Sequence, residues 1–497
     1  MPSAISYRWP PTTVAGLAPA NEAALGTLDA SALSEGSGAY VSTYKETFYL
    51  TRSGATAAAG ERVPALNRTG FLWLRGRSST AWWPQTNWWW DPANVTGLAS
   101  DENDGASPAT PLLTRDEFHR RTLGRRVIVP DLASQIMFLN LMSDCGDNDV
   151  VLADFSTEPR FQAQLQIVGA STVVPVGVVT AAQAFDPSIN HGNQITVPGF
   201  DFGPHVGRVL RLAGTSGNTS TVASIEEAVS LGVARLGEMF SGGTDTQAFG
   251  FAQGQTVEII AMPKLPGLHV RAAQVNVTEC KIDRDPSVGA VSMVVDSHKS
   301  FLSVIRCEMR GPPPGIQNTV YCGQFSLNAS SIVGSTWIFY GPTFNTIGGS
   351  MINSKIYLGS ASLVHHIAGF GGTNSMIYAY DFAPVRLHGN FHMFKLAANG
   401  VGLALRYGSH AYLAAWYYGS GNDPTSAGVC MTGNTRFIAA PSALVMDAGK
   451  GAVMDANDEP TVANNGGFSV PFASIGAQGY PSPAGTLTPR AGAIQSG

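Results

Sequence analysis

Charge is scarce in this sequence, and lysine is the rarest of the charged residues. Charged residues make up 13% of the 497 residues, lysine occurs 7 times, and the formal net charge is -5. A chain without a basic excess has no electrostatic footprint for a phosphate backbone, so no nucleic-acid partner is predicted. At 44% apolar residues the chain is nevertheless too hydrophobic for disorder, and it is long enough to bury a large core.

Cysteine is also rare, and its spacing excludes two classes of small stabilised domain. Five cysteines are scattered along the chain without a C-x-x-C pair. An odd, dispersed set predicts neither a disulfide framework nor a zinc site. We therefore interpret the cysteines as small buried hydrophobic residues of a protein made in a reducing cytoplasm, and we predict no cofactor. They are Cys145, Cys280, Cys307, Cys322 and Cys430.

Targeting and membrane signals are missing from the sequence. The first residues, MPSAISYRWPPTTVAGLAPANEAALG, show no charged region followed by an apolar one, so no signal peptide is predicted. No apolar run approaches the roughly 18 residues that a membrane span needs, so no membrane insertion is predicted. We expect synthesis in the cytoplasm, and if the protein works outside the cell, release of a particle by cell lysis would carry it there.

Glycine and proline are plentiful, with 56 and 30 copies, and this composition favours short strands and tight corners. Two helices are predicted within that background, one in LTRDEFHRRTLG with Thr114 as N-cap and one over residues 224–240. We predict five segments along the chain. They are an N-terminal arm or attachment segment (1–45), a small β unit with a capping helix (46–125), a β-rich part with one helix (126–255), coils of a parallel β-helix (256–452) and a Gly/Pro/Ala-rich C-terminal tail (453–497).

An internal repeat supports the prediction of coils. The stretches INSKIYLG (352–359) and TNSMIYAY (373–380) share Asn, Ser, Ile and Tyr at identical offsets, so that Asn353 matches Asn374 and Tyr357 matches Tyr378. A period of about 21 to 22 residues, filled with strand and corner residues, is typical of a solenoid. Because the segments between corners are too short for paired helices, the repeat favours a parallel β-helix.

A polar stretch follows the tryptophan-rich segment, and it resembles a known structural element. In LASDENDGASPATPLLT the Asp, Asn, Asp, Gly, Ser, Pro and Thr positions match the loop that opens pectate-lyase-like right-handed β-helices of phage tailspikes and related surface proteins. Two leucines follow the proline, where Phe-Lys is common in the family. The loop residues are Asp101, Asn103, Asp104 and Gly105, with Ser107, Pro111 and Thr114 completing the pattern.

The resemblance implies an all-β fold, a right-handed parallel β-helix with an N-terminal arm and a capping helix. The first coil of such a stack exposes unpaired backbone groups and an apolar face, which a capping helix covers. Proteins of this kind are commonly homotrimers. The fold alone does not fix a function, because lyases, hydrolases, receptor-binding spikes and structural spikes all carry it.

Carboxylates are the first candidates for chemistry in the coils. An EF-hand calcium site in the DENDG loop is disfavoured, because glycine is fifth in the loop and leucine is twelfth. Glycoside hydrolysis needs two carboxyl groups a few ångströms apart, and neighbouring coils bring together residues about one period apart. Asp285 and Glu308 have roughly that separation in the sequence. With Asp283 they form the candidate catalytic group, and exposed corner decoration is the alternative.

Histidines and aromatics supply the remaining candidates. His366, His388 and His410 recur at a constant spacing of about one period, which predicts either stacked rings at a corner or a metal site. The first aromatic cluster is predicted to form a subunit interface or to plug the end of the coils, with glycan binding as the alternative. For the second cluster, glycan binding and burial stay equally open. The clusters are Trp82, Trp83, Trp88, Trp89 and Trp90, and Tyr412, Trp416, Tyr417 and Tyr418.

The sequence favours a non-enzymatic function. We expect a structural and receptor-binding spike or fibre component of a phage or phage-like particle, homotrimeric, bound to other particle proteins and contacting a cell-surface glycan. The competing hypothesis is a polysaccharide depolymerase, a lyase or glycoside hydrolase on the same fold. A cell-envelope adhesin is a more distant alternative, disfavoured by the missing signal peptide.

Overall fold

A computed structural model of the chain divides it into two units. The first comprises residues 1–170 with 272–274, and the second comprises residues 171–271 with 275–497. The structure describes residues 19, 22–33, 37–41, 46–52, 62–75, 87–101, 103, 105–121, 136–146, 151–154, 163–184, 193–215, 221–237, 250–271, 273–283, 301–310, 317–320, 324–341, 343–361, 363–395, 401–405, 408–413, 417–420, 427–431, 436–439, 444–447, 452–454 and 488–489.

The described residues of the first unit form two short helices and eight strands. An antiparallel sheet has the order β1-β2-β4-β3, and β5, β6 and β8 pair in parallel. The elements are α1 (Glu22–Gly26), α2 (Arg115–Arg121), β1 (Gly38–Val41), β2 (Glu46–Arg52), β3 (Arg62–Pro64), β4 (Phe71–Arg75), β5 (Asn87–Trp90), β6 (Ile136–Leu141), β7 (Val151–Asp154) and β8 (Ala163–Gly169).

The antiparallel sheet of the first unit recruits residues that the sequence assigned to an N-terminal arm. Leu25 of α1 and Val41 of β1 are fully buried in one cluster with Phe48 and Trp73. Residues 22–33 and 37–41 thus contribute to a packed sheet, because their sparse apolar side chains are covered once the sheet forms, and their role as an attachment segment stays a prediction. The predicted C-terminal tail lies outside the described residues, except for 453–454 and 488–489.

The second unit begins with a seven-stranded antiparallel sheet of order β10-β11-β14-β13-β12-β15-β9. A short 3-10 helix, Gly203–His205, precedes β12. The strands are β9 (Thr172–Val178), β10 (Ala181–Gln183), β11 (Gln194–Thr196), β12 (Val209–Leu212), β13 (Val222–Ser230), β14 (Val233–Leu236) and β15 (Thr256–Ala261).

The helix predicted over residues 224–240 is wrong. Most of this segment forms β13 and β14, an antiparallel hairpin whose turn contains Gly232 at φ 79°. Ile225 belongs to the core of the antiparallel sheet, while its neighbours Ser224 and Glu226 are also buried. A strand buried on both faces lacks the polar-apolar alternation of a half-exposed strand, so its apolar residues mimic a helical period.

The rest of the second unit is built from short strands connected by tight corners. They are β16 (Lys264–Leu265), β17 (Leu268–Arg271), β18 (Ala273–Thr278), β19 (Lys281–Ile282), β20 (Phe301–Ile305), β21 (Glu308–Arg310), β22 (Gln317–Val320), β23 (Gln324–Val333), β24 (Thr336–Gly341), β25 (Thr343–Ile352), β26 (Lys355–Ala361), β27 (His365–Thr373), β28 (Met376–Ala379), β29 (Pro384–Phe394), β30 (Val401–Leu405), β31 (His410–Leu413), β32 (Tyr417–Ser420), β33 (Ala427–Met431), β34 (Arg436–Ala439), β35 (Leu444–Asp447), β36 (Ala452–Met454) and β37 (Thr488–Pro489).

These strands form two stacked parallel sheets, which confirms the predicted parallel β-helix. One sheet runs β20-β23-β25-β27-β29-β31-β34, and the other runs β22-β24-β26-β28-β30-β33-β36. The length of a coil varies along the stack, because the step from Gln324 to its partner Thr343 is shorter than the step from Pro384 to its partner His410. The described part of the chain is thus almost entirely β.

Each coil fills the interior with alternate residues of its strands. Trp337, Phe339, Phe325 and Phe344 are almost fully buried, and the last three form one ring cluster. Parallel in-register pairing places like residues above one another, so one coil's interior residue packs on the next. This is the reason the apolar content is high although the strands are short.

The antiparallel sheet packs on the coils through β13, with alternate residues meeting successive coils. Val222 shares an apolar cluster with Ala329 of β23, and the Ser224 hydroxyl lies 2.6 Å from the Ser350 hydroxyl of β25. Glu226 then accepts a hydrogen bond of 2.7 Å from the Thr373 hydroxyl of β27. Glycines keep the coil wall shallow here. A Cβ at Gly349 would lie 2.6 Å from a backbone oxygen of the preceding coil.

A fully buried carboxylate–imidazole pair completes this interface. The second oxygen of Glu226 lies 2.7 Å from Nε2 of His392 in β29, and neither side chain is exposed. The next residue, Glu227, binds Arg235 at 2.5 Å and contacts Lys395. Polar side chains as deeply buried as Glu226 and His392 are stable only when each has a hydrogen-bonding partner.

The described cysteines behave as predicted, as small buried residues. Cys280 and Cys307 lie on adjacent coils, where the Cys280 amide donates a hydrogen bond to the Cys307 sulfur at 3.4 Å. Burial raises the pKa of the Cys307 thiol to about 12, so this sulfur stays protonated.

Among the residues that the structure describes, no helix has the length and apolar character that a membrane crossing requires.

We expect His392→Ala to lower the free energy of unfolding by about 3–5 kcal/mol, because it strands the buried Glu226 carboxylate without its partner. Urea denaturation measures the loss. His366→Ala, at an exposed histidine of the same solenoid, is the matched control and should be close to neutral. Adding Glu226→Gln to the His392→Ala variant should recover part of the loss, since no buried charge then remains. Additive effects of the two changes would contradict a coupled pair.

Candidate functional site

Two of the predicted catalytic carboxylates, Asp283 and Glu308, each lie beside a cation. Glu308 is buried in β21, lies beside Lys281 in the strand register, and has its Oε2 3.6 Å from Nε of Arg310. Asp283 binds Lys281 at 2.8 Å. Asp285 lies outside the described residues. The sequence correctly placed Glu308 on a coil next to residues of the 280s, but its neighbour in the register is a lysine.

Burial raises the pKa of Glu308, and the positive charges of Arg310, Arg208 and Lys281 oppose that rise without cancelling it. A buried acid with a raised pKa can act as a proton donor. Glycoside hydrolysis needs a second carboxyl, and the nearby Glu279 is already bound to Arg306 at 3.0 Å and to Ser171.

The predicted histidine ladder is wrong. His366 and His410 are exposed, and the three residues do not follow one another in the register. Residues at a constant spacing in the sequence do not stay in register when the length of the coils changes, so each histidine lies beside a different kind of residue. No cluster of three metal-ligating side chains occurs among the described residues. The register pairs are His366 with Arg386, His388 with Ala368 and His410 with Pro384.

The DENDG loop is held by hydrogen bonds within its own neighbourhood. One oxygen of Asp101 accepts the Thr114 amide at 2.8 Å and the other accepts the Thr114 hydroxyl at 2.7 Å. The side-chain amide of Asn103 donates hydrogen bonds to the backbone carbonyls of Leu98 and Pro111. Gly105 has φ 69°, and a Cβ there would lie 2.9 Å from Leu112. These contacts engage both carboxylate oxygens of Asp101 within the loop itself. Asp104 lies outside the described residues.

The tryptophan strand β5 packs on the helix that follows this loop. Trp90 is fully buried and stacks on Phe118 of α2 at 6.2 Å, and Trp88 meets the same ring edge-on at 6.3 Å. Trp89 is half-buried, and its amide bonds to the Gly105 carbonyl at 2.9 Å. The rings of Trp88 and Trp90 are thus core, while the roles of cap, subunit interface and glycan binding stay predictions. Trp82 and Trp83 lie outside the described residues.

The second predicted aromatic cluster can be placed only by its strands. Tyr412 lies on β31 beside Arg386, and Tyr417 and Tyr418 lie on β32 beside Phe391 and His392. Trp416 lies outside the described residues. Glycan binding by this cluster stays a prediction.

A different row of tyrosines lies on the outer face of the second coil sheet. Tyr357 of β26 and Tyr378 of β28 occupy the same register position on adjacent coils, and their ring centroids are 5.1 Å apart. Tyr380 continues the row at 5.8 Å from Tyr378. All three are half-buried, whereas their strand neighbours Ile356 and Ile377 are fully buried in the interior. We call Tyr357, Tyr378 and Tyr380 the tyrosine row.

Exposed amides border the tyrosine row at the preceding corner. Asn353 and Asn374 are exposed, and the Asn374 side chain donates to the Asn353 side-chain oxygen at 2.8 Å. Both have φ 48°, the left-handed conformation that asparagine tolerates better than most residues. Beneath them the Ser354 amide donates to the Ser375 hydroxyl at 3.1 Å, which fixes the corner. The surface therefore combines ring faces, hydroxyls and amides on rigid strands.

This combination is suited to binding sugar rings. Aromatic faces pack against the apolar faces of pyranose rings, and amides and hydroxyls bond to their hydroxyl groups. The only acidic residue between Met309 and Asn422 is Asp381, at the corner that follows Tyr380. A single carboxylate does not provide the two carboxyl groups of the usual hydrolytic mechanism.

The internal repeat already aligns two tyrosines of this row, but the sequence gives no reason to single them out as a site. The repeat that aligned Tyr357 with Tyr378 places them one coil apart, and the alternation of each strand turns them outward. A surface row built from tyrosines of adjacent coils can be predicted only when the coil length is known.

The sequence matches no family model and no curated protein. Similar solved structures include a glycoside hydrolase at 10% identity, covering 80% of this chain and 99% of that one with a TM-score of 0.28. The tailspike gp61 of Pseudomonas phage phi297 is 10% identical, over 66% of this chain and 65% of that one, with a TM-score of 0.21.

The gp54 tailspike of Acinetobacter baumannii bacteriophage AP22, solved with a capsular saccharide, is 10% identical over 67% of this chain and 68% of that one, with a TM-score of 0.18. Identities and TM-scores this low do not by themselves establish a common fold or function. The assignment of a parallel β-helix rests on the strand pairing.

Glu308→Gln should raise thermal stability in a pH-dependent way. A carboxyl whose pKa is raised by folding favours its protonated form, so its contribution is retained below the unfolded pKa and lost as pH rises through the folded pKa. The melting temperature of the variant should equal that of the wild type at about pH 4 and exceed it at about pH 8. A rise of about 2–4 °C corresponds to about 1 kcal/mol.

Scanning calorimetry at the two pH values measures this difference. Asp116→Asn, whose carboxylate is largely exposed, is the matched control and should show no such trend. A lower melting temperature of the Glu308→Gln variant at alkaline pH would instead mean that the ion pair with Arg310 stabilises the fold.

Proposed function

We propose that this chain is a glycan-binding spike or fibre component of a phage or phage-like particle, and that the tyrosine row contacts the glycan. The observation that carries the proposal is the alignment of Tyr357 and Tyr378 on the outer face of adjacent coils. A rigid stack of coils holds the rings at a fixed spacing without the ligand having to order them, which lowers the entropic cost of binding.

The particle location rests on the sequence, where the segment from Asp101 to Thr114 resembles the opening loop of phage β-helices. The low charge and high apolar content suit burial of lateral surfaces between chains, and we propose a homotrimer on this ground. The Ala/Gly/Pro-rich ends suit attachment to other particle proteins, and release of particles by lysis would bring the chain to the cell surface.

A polysaccharide depolymerase is the second candidate, and Glu308 is the observation that favours it. Its buried carboxyl has a raised pKa and lies among three cations, an arrangement that could donate a proton and hold an acidic sugar. Incubating the chain with capsular polysaccharides and assaying for reducing ends and unsaturated uronates separates the two candidates. Cleavage that is abolished by Glu308→Gln would replace the binding proposal with the enzymatic one.

Tyr357→Ala and Tyr378→Ala should each weaken glycan binding by about three- to tenfold, the loss expected from one ring contact. Binding is measured on an array of bacterial capsular and O-antigen oligosaccharides and then by calorimetry with the strongest binder. Phe at either position keeps the ring and should retain most of the affinity.

Ile347→Ala removes an exposed apolar side chain from the other coil sheet and is the matched control, with no expected effect on binding. Unchanged affinity of both tyrosine variants would remove the tyrosine row from the site. A wild-type chain that binds no oligosaccharide on the array would end the glycan proposal as a whole.

A further inference from the structure

Phe382 is one of the most exposed large apolar residues of the described chain. Its side chain is 72% exposed, at the corner between β28 and β29 that directly follows the tyrosine row. The corner is a tight turn, closed by a hydrogen bond of 3.2 Å from the Ala383 amide to the Tyr380 carbonyl. The residues between them, Asp381 and Phe382, are the ones that the turn presents to solvent.

The backbone of this turn is strained for the residues that it carries. Asp381 has φ 53° and Phe382 has φ 62°. Two consecutive positive values are the signature of a type I′ turn, which strongly prefers Asn or Asp followed by Gly. Aspartate suits the first position, but a bulky aromatic residue at the second is an outlier. Glycine is the residue that this turn geometry favours in place of Phe382.

The adjacent coil confirms that the strain comes from the side chain and not from the corner. Ala379 lies beside Leu405 in the register, and further along the same two coils Phe382 meets Gly408. Gly408 also has a positive φ, 74°, and it has no Cβ to strain. One coil thus uses glycine at this corner where its neighbour uses phenylalanine.

The missing side chain of Gly408 also creates the support on which the Phe382 ring rests. A Cβ at Gly408 would lie 2.4 Å from Cε1 and 2.5 Å from Cδ1 of Phe382, so the ring edge lies directly on the glycine backbone. The ring therefore rests on the next coil while most of its surface faces water, which is the form of a stacking platform.

Folding stability does not account for this arrangement. An exposed ring gains little from burial, and its backbone conformation costs free energy that glycine would avoid. Strained residues with exposed side chains persist where a ligand uses them, and this one adjoins Tyr378 and Tyr380 along the chain. We propose that Phe382 is a sugar-stacking platform that extends the tyrosine row to the next coil, so that the site takes an oligosaccharide and not a single sugar.

This inference rests on the proposed glycan-binding function and sharpens its substrate class. The tyrosine row covers the coils of β26 and β28, and Phe382 reaches over Gly408 in the coil that follows. A ligand that contacts all of these rings spans successive coils. A monosaccharide can contact only part of that length, so the contribution of Phe382 should grow with the number of sugar units.

The test uses the full-length chain and the array oligosaccharide that binds it best, together with shorter fragments of the same glycan. Phe382→Gly should weaken binding of the long oligosaccharide by about tenfold, as loss of one stacked ring implies, and should change binding of the monosaccharide little. The same variant should melt at or above the wild-type temperature, because glycine relieves the positive φ. Lost affinity with retained stability separates a ligand contact from a structural role.

Planarity is tested by two further substitutions at the same position. Phe382→Trp should keep the affinity, whereas Phe382→Leu, which is apolar but not planar, should lose it. Leu363→Ala, which removes another exposed apolar side chain from the preceding corner, is the matched control and should bind as the wild type does.

The outcomes distinguish this inference from the function on which it rests. Weakened binding in the Tyr357 and Tyr378 variants, with unchanged binding in Phe382→Gly, would overturn the platform and leave the tyrosine row in place. A Phe382→Gly variant that binds normally but changes its oligomeric state in light scattering would assign the ring to a subunit contact. Absence of glycan binding by the wild-type chain would overturn both proposals.

Discussion

In-register parallel pairing between successive coils is the constraint on which the structure depends. Each coil satisfies its backbone groups on the coils above and below, so residues at one register position form a column. Columns of apolar residues such as Trp337 and Ile356 become the interior. Columns of Asn353 with Asn374, and of Tyr357 with Tyr378, become a polar corner and an outer surface row. The candidate site is thus a direct product of the pairing.

Two features of the second unit show how buried polarity is handled in such a stack. Along β13, hydroxyls and one carboxylate meet successive coils, and Glu226 finds both Thr373 and His392 as partners. At Glu308, by contrast, three cations do not fully offset burial, and the pKa of the carboxyl stays raised. The first arrangement fixes the position of the antiparallel sheet on the coils. The second leaves a buried carboxyl that binds its proton more tightly than an exposed carboxyl does, as a proton donor in catalysis must.

The tyrosine row and Phe382 are aromatic residues on the surface of a fold whose interior already contains a buried aromatic cluster. Half-buried Tyr357 and Tyr378 gain packing from one another, so their presence is compatible with stability alone. Phe382 gains little and strains its turn. The same surface therefore contains residues that the fold explains and one that it does not, and the second kind is the stronger indication of a ligand.

The sequence by itself determined the class of fold, the helix after the DENDG loop, the burial of Cys145, Cys280 and Cys307 and the pairing of Tyr357 with Tyr378, because each depends on local pattern or on one repeat. It could not determine that residues 224–240 form a hairpin, since β13 is buried on both faces by partners far along the chain. Nor could it stack the histidines, because the coils lengthen towards the strands β29 and β31. Only the tertiary structure decided these points. The register between two coils depends on the number of residues in every corner between them, and the burial of a strand depends on which strands, distant in the sequence, pack against it.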